Sequence, residues 1–138
     1  MMAIQYELLI SAADATALGL MVGERRRSHA LEASAAEALA DLLSAAHVVP
    51  DDALPRDRVA MGAQVTYEQL PDGVRRTVTL VFPMDADAGN GRVSVLSPIG
   101  LALLGRARGS SVEPALPGGR RLRVRVVALE REPLREAA

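Results

Sequence analysis

The residues that could do chemistry are few, and most fail on spacing. His29 and His47 are the only histidines, and a predicted helix holds them near its opposite ends, so they cannot share a metal or serve a triad. There is no cysteine, which removes disulfides, thiolate metal sites and a thiol nucleophile together. The stretch DADAGNG (85–91) has the acidic look of a calcium loop, but Asn90 stands at the position that needs glycine and Leu96 at the position that needs a bidentate glutamate. Gly100 and Gly105 have phosphate-loop spacing, yet Arg106-Ala107 follows in place of Lys and Ser/Thr. No catalytic residue, metal site or cofactor is expected.

What remains is charge and one turn. Every one of the 16 basic residues is arginine. Residues 92–138 carry nine arginines against four acids, while residues 1–50 carry three against six. Arg25, Arg26 and Arg27 form a run that either contacts an acidic surface or nucleic acid, or is a solvated turn. Arg121, Arg123 and Arg125 alternate along a predicted strand, as an electrostatic footprint or as the solvent side of an edge strand. Tyr6, Tyr67 and Phe82 are the only aromatics, too few for a stacking platform or an aromatic-walled pocket. Ser97-Pro98 is a helix start, with Ser97 as N-cap and Pro98 at the first helical position. Its backbone N–H groups either hold an anion or are simply capped.

Those residues must be positioned by elements legible in the pattern. Residues 5–10 (QYELLI) read as a strand, and Ser11 as an N-cap with Asp14 three residues on. A helix follows over about 12–24, fraying or turning at Gly23 and the arginine run. In a second helix Leu31, Ala35, Ala38, Leu39, Leu42 and Ala46 share a face, and Pro50 limits it. The two make an antiparallel helical hairpin. Residues 50–58 (PDDALPRDR) are a Pro/Asp-rich linker and the best boundary in the chain. Beyond it the period changes to two. Strands are expected at 59–70, 74–83, 92–96, 112–116 and 121–130, with turns at Pro71-Asp72-Gly73 and Pro117-Gly118-Gly119 and a short helix from Pro98 to Gly105. The fold class is α+β: an arm over 1–50 and an antiparallel sheet domain with one short helix over 51–138. The N-terminus lacks the basic start of a signal peptide and is interrupted by Glu7 and Asp14, so a soluble cytoplasmic chain is expected.

The segment from Arg92 to Leu129 resembles the C-terminal domain of the GreA/GreB family. The shared residues are Ser97, Pro98, Ala102, Leu103, Leu104, Gly105, Gly109, Val112, Pro117, Gly118 and Gly119. The layout of the whole chain resembles the Rnk branch, the regulators of nucleoside diphosphate kinase. The resemblance implies an FKBP-like C-terminal fold and a transcription regulator that docks on the β′ rim helices at the secondary-channel entrance of RNA polymerase. Leu96, Ser97 and Pro98 would form the contact, with Leu96 where the family carries Asp. The hairpin tip, with Arg25, Arg26 and Arg27, would point inward. Nucleic-acid contact would be weak and made through the polymerase complex.

Family cleavage factors, by the same implication, place two carboxylates at the tip of an arm about twice as long. The segment Gly23–Glu32 has no Asp-x-x-Glu, and helices of about 15 residues reach only ~22 Å. No cleavage stimulation and no enzyme activity are therefore expected. A monomer or weak dimer is expected. The alternatives are an FKBP-like peptidyl-prolyl isomerase, or a stand-alone dimeric interaction module using the alanine stripe.

Overall fold

A computed structural model describes residues 8–28, 33–114 and 116–131. Strand β1 (Leu9–Ser11) buries Leu9 and Ile10 and passes directly into helix α1 (Ala12–Ser28). The Ser11 hydroxyl accepts the Asp14 N–H at 3.2 Å, which is the expected N-cap. The helix does not turn at Gly23. It continues through Arg25, Arg26 and Arg27 to Ser28. Interior glycines at 19 and 23 cost about 1 kcal/mol each, but Leu18 and Val22 are buried on the side that packs against α2. That burial, together with arginine's good helix propensity, outweighs the glycines.

Helix α2 (Ala33–Ala45) buries Ala36 and Leu39 completely. Ala38, expected on the inner face, is exposed, while Ala35, Leu42 and Ala46 are half-buried. In a helix this rich in alanine, the stripe is defined by only a few large side chains, so its edge is easily misread by one position. Leu31 lies outside the described residues. Strand β2 (His47–Val49) follows and pairs in parallel with β1, Leu9 opposite His47 and Ser11 opposite Val49.

The Pro/Asp-rich segment after β2 is held at several points. Leu54 is buried, its carbonyl accepts from the Arg131 guanidinium at 3.1 Å, and Asp51 Oδ1 accepts the Ala13 N–H at 2.8 Å. Strands β3 (Gln64–Leu70), β4 (Arg75–Val81), β5 (Arg92–Ser94), β6 (Ser111–Val112) and β7 (Arg123–Glu130) form one sheet in the order β5-β4-β3-β7-β6. Val65, Tyr67, Val78, Leu80, Val124 and Val126 alternate onto its buried face. The strand expected at 112–116 is only two residues long.

The sheet is antiparallel except for β4 and β5, which run parallel with Val81 opposite Ser94. Parallel neighbours usually need a long crossover. Here residues 82–91 manage it with two 3₁₀ turns, Pro83–Asp85 and Ala88–Asn90, and a left-handed Gly91 (φ 72°). Turn residues announce that the chain reverses locally, but not how many reversals occur, and so the direction of β5 was not legible.

Helix α3 (Pro98–Leu103) closes the core with Leu103 and Leu104. It lies so near β5 that a Cβ on Gly100 would overlap the Ser94 carbonyl oxygen. The buried residues of the helices and the sheet form one continuous cluster, from Leu18 and Leu39 through Val59 to Val126. No described helix is long and apolar enough to cross a membrane.

Two glycine substitutions should behave oppositely in thermal unfolding. Gly100→Ala forces backbone apart and should lower stability by about 2–3 kcal/mol. Gly19→Ala, where an added Cβ meets nothing within 4 Å, should raise it by about 1 kcal/mol. Equal melting temperatures for the two variants would contradict this packing.

Candidate functional site

Because β4 and β5 are parallel, their ends emerge side by side. The Val95 N–H donates to the Val81 carbonyl at 2.9 Å, and the 3₁₀ turn after β4 packs against β5. The turn exposes Met84 almost completely, at 87%. Beside it the chain passes through Leu96, Ser97 and Pro98 into α3. The Ser97 hydroxyl accepts the Gly100 N–H at 3.1 Å and donates to the Ser94 carbonyl at 2.7 Å, while the Leu96 N–H donates to Ser94 Oγ at 3.0 Å. Ser97 is thus a satisfied N-cap, and the turn is rigid.

The three expected contact residues are not equivalent. Leu96 is 8% exposed and belongs to the hydrophobic core. Ser97 and Pro98 are half-buried and reach the surface. Leu96 anchors the turn; the large apolar side chain exposed at this end of the sheet is Met84, which sequence reading left between the strand ending at residue 83 and the loop beginning at residue 85.

The hairpin is rooted at this same end of the sheet. The Asp14 carboxylate, in the first turn of α1, accepts the Met61 N–H at 3.0 Å, just before β3 begins. A cleft of about 710 Å³ opens between this root and the sheet. Asp14, Asp51 and Asp52 line it with Arg56, Arg92 and Arg131. Burial pushes the Asp14 carboxyl above its ordinary 3.8, the Met61 N–H opposes the rise, and the charge of Asp51 adds to it. Capping logic finds Asp14 from its distance to Ser11, but its partner is 47 residues away, where no local pattern reaches.

The arginine run lies elsewhere. Arg25 is half-buried and engaged within the protein. It stands 14 residues beyond Ser11, about 20 Å along the helix from the root. The side chains of Arg26 and Arg27 lie outside the described residues, as does His29. Arg121, Arg123 and Arg125 are exposed, as expected. Their strand is not an edge strand, however: β7 lies between β3 and β6, because the short β6 pairs through Ser111 and Val112 on its outer side. Among the described residues, no cluster of three metal-binding side chains occurs.

This arrangement can be compared with known proteins. The family model for "Transcription elongation factor, GreA/GreB, C-term" matches residues 54–131. The chain belongs to the GreA/GreB family. The GreA/GreB match begins in the segment after β2 and runs to the end of β7. The regulator of nucleoside diphosphate kinase from Escherichia coli K12 is 38% identical over 98 residues, which is 71% of this chain and 72% of that protein. GreA from Desulfovibrio desulfuricans is 42% identical over 73 residues, 53% of this chain but only 45% of GreA. Among solved structures, the transcription elongation factor GreA/GreB from Nitrosomonas europaea superposes with a TM-score of 0.73 at 31% identity, covering 90% of this chain and 99% of that one. The family and the fold class read from the sequence are both borne out.

Asp14 gives a pH test with a defined sign. Its raised folded pKa means that the folded chain binds a proton more readily than the unfolded chain. The group therefore destabilises the fold above its raised pKa, and the penalty disappears as pH falls through that value towards 3.8. Asp14→Asn removes the charge and keeps an acceptor for Met61. In denaturant unfolding, wild type should gain on the Asn variant as pH is lowered from neutral. Asp14→Ala should lose about 1–2 kcal/mol at neutral pH by stranding the Met61 N–H. A pH-independent gap between wild type and Asp14→Asn would refute the buried-carboxylate assignment.

Proposed function

We propose that this protein is a transcription regulator that binds RNA polymerase at the secondary-channel entrance. In this reading the turn of Ser97 and Pro98, with Met84 of the 3₁₀ turn at the same end of the sheet, docks on the β′ rim helices, and the hairpin points into the channel. The observation that carries it is the common location of two features: the parallel β4–β5 register brings the turn to the end of the sheet where Asp14 roots the arm. A body that docks through that turn directs its arm along the docking axis. Residues 1–50 then act as the arm and 51–138 as the body, with a monomer sufficient for both. The cytoplasm is the compartment this partner requires.

The arm does not carry the chemistry of a cleavage factor. A second Mg²⁺ needs hard oxygen ligands, and the tip sequence GERRRSHALE separates Glu24 from Glu32 by three arginines. Helix α1, 17 residues long, spans about 25 Å. The protein thus occupies the channel mouth and competes with longer-armed factors, and is not an enzyme. The isomerase alternative finds no support: Tyr67 is buried in the core and Phe82 is packed against it, leaving neither free to wall a proline pocket.

The test is direct binding to core RNA polymerase. Met84→Asp combined with Pro98→Ala should weaken binding by about tenfold or more, a loss typical of an apolar anchor. In backtracked complexes, added protein should not increase RNA cleavage above that of polymerase alone, and it should reduce cleavage stimulated by GreA. Protein-dependent cleavage, or undiminished binding by the double variant, would refute the proposal.

A further inference from the structure

The sheet has a second end, and its chemistry differs. From Gln64 to Leu70, β3 carries the sheet about 20 Å away from the hairpin root. At the far end, Leu70 lies opposite Arg123, and Glu68 lies opposite both Arg75 and Arg125. Glu68 holds Arg75 at 3.2 Å and Arg125 at 3.1 Å, which fixes these arginines on the solvent face of the sheet. Arg123, two residues from Arg125, shares that face and meets Glu113 at only 3.6 Å, with both side chains more than half exposed, so the pair holds it weakly. Arg120 and Arg121 precede the strand, are exposed, and make no ion pair among the described residues. One carboxylate, Glu68, is thus shared by two guanidinium groups, while neighbouring arginines stand open to solvent.

We propose that this arginine-rich end binds the phosphodiester backbone of nucleic acid, without regard to sequence. Arginine's fork pairs with phosphate in two parallel hydrogen bonds. Among the described residues, the large apolar side chain exposed here is Val74, at 43%. A protein partner would need a buried apolar or aromatic anchor to hold it, whereas a polyanion binds through charge and counterion release alone. Among the described residues the aromatics, Tyr67 and Phe82, belong to or pack against the core, which confines the contact to the backbone and excludes base stacking on them. The overall charge of −1 does not oppose this, because Asp14, Asp51 and Asp52 lie at the hairpin root, and the exposed Asp72 in the β3–β4 turn is outnumbered at this end by Arg75, Arg120, Arg121, Arg123 and Arg125.

The proposal is independent of the polymerase reading and is tested without polymerase. Fluorescence anisotropy of the intact protein with short random-sequence DNA and RNA should show micromolar binding at about 50 mM salt. Between about 50 and 200 mM, log affinity against log salt should have a slope of about −2 to −3, the value for roughly three neutralised phosphates. Arg121→Glu with Arg123→Glu should cost at least about tenfold and flatten the slope, and the milder Gln pair should lie between. Arg56→Ala, on the hairpin side, should bind as wild type. The proposal is overturned by no saturable binding, by undiminished binding of the double Glu variant, or by polyglutamate displacing nucleic acid at well below equal charge. That last result would assign the face to an acidic protein.

Discussion

The parallel pairing of β4 with β5 is the constraint on which the rest of the molecule depends. Antiparallel pairing would send the chain after β5 to the opposite end of the sheet. The parallel register returns it to the end where β4 finishes, so the turn carrying Met84 and the turn entering α3 leave the same end of the sheet although the crossover separates them in sequence. It also sets α3 against β5 closely enough that only glycine fits at position 100. Leu96, Leu103 and Leu104 can then enter the core from the turn and helix that follow.

The arm is held to that frame by backbone contacts as well as by packing. The Leu9 N–H donates to the Gly105 carbonyl at 3.1 Å, which ties β1 to the chain leaving α3. Asp14 reaches from α1 to Met61, and Asp51 reaches back to the start of α1 at Ala13. These reciprocal links are short and directional. They fix the direction in which α1 leaves the body, a task that apolar contacts do poorly because they tolerate sliding. The burial that raises the Asp14 pKa is the cost of placing a charged latch at the joint.

Much of this was legible in the sequence, and the failures share a cause. Alternation located the strands that became β3, β4 and β7, because β-branched and aromatic residues on every second position leave little choice. Ser97, Pro98 and Gly105 bounded α3 because capping chemistry is local. The direction of β5, the interior placement of β7 and the pairing of β2 were not legible: each depends on which distant strand supplies a hydrogen-bonding edge. Helix α1 outran its glycines because tertiary burial of Leu18 and Val22 overrode propensity. In the candidate site, Ser97 and Pro98 were found through their cap. The burial of Leu96 and the exposure of Met84 were not, because both follow from the same unread strand direction.

That burial bears on what a leucine at position 96 does. A surface Asp at such a turn would add charge to a contact at the cost of leaving the core beneath it unfilled. Leu96, at 8% exposure, fills that space instead and stiffens the turn from below. In the proposed docking, affinity at this end would come from shape and from apolar contact by Met84 and Pro98. The opposite end of the sheet differs in character: exposed arginines and, among the described residues, few exposed apolar groups. One short sheet therefore separates two chemically different surfaces by about 20 Å, and the carboxylate of Glu68, shared between Arg75 and Arg125, offsets the repulsion within the arginine-rich end.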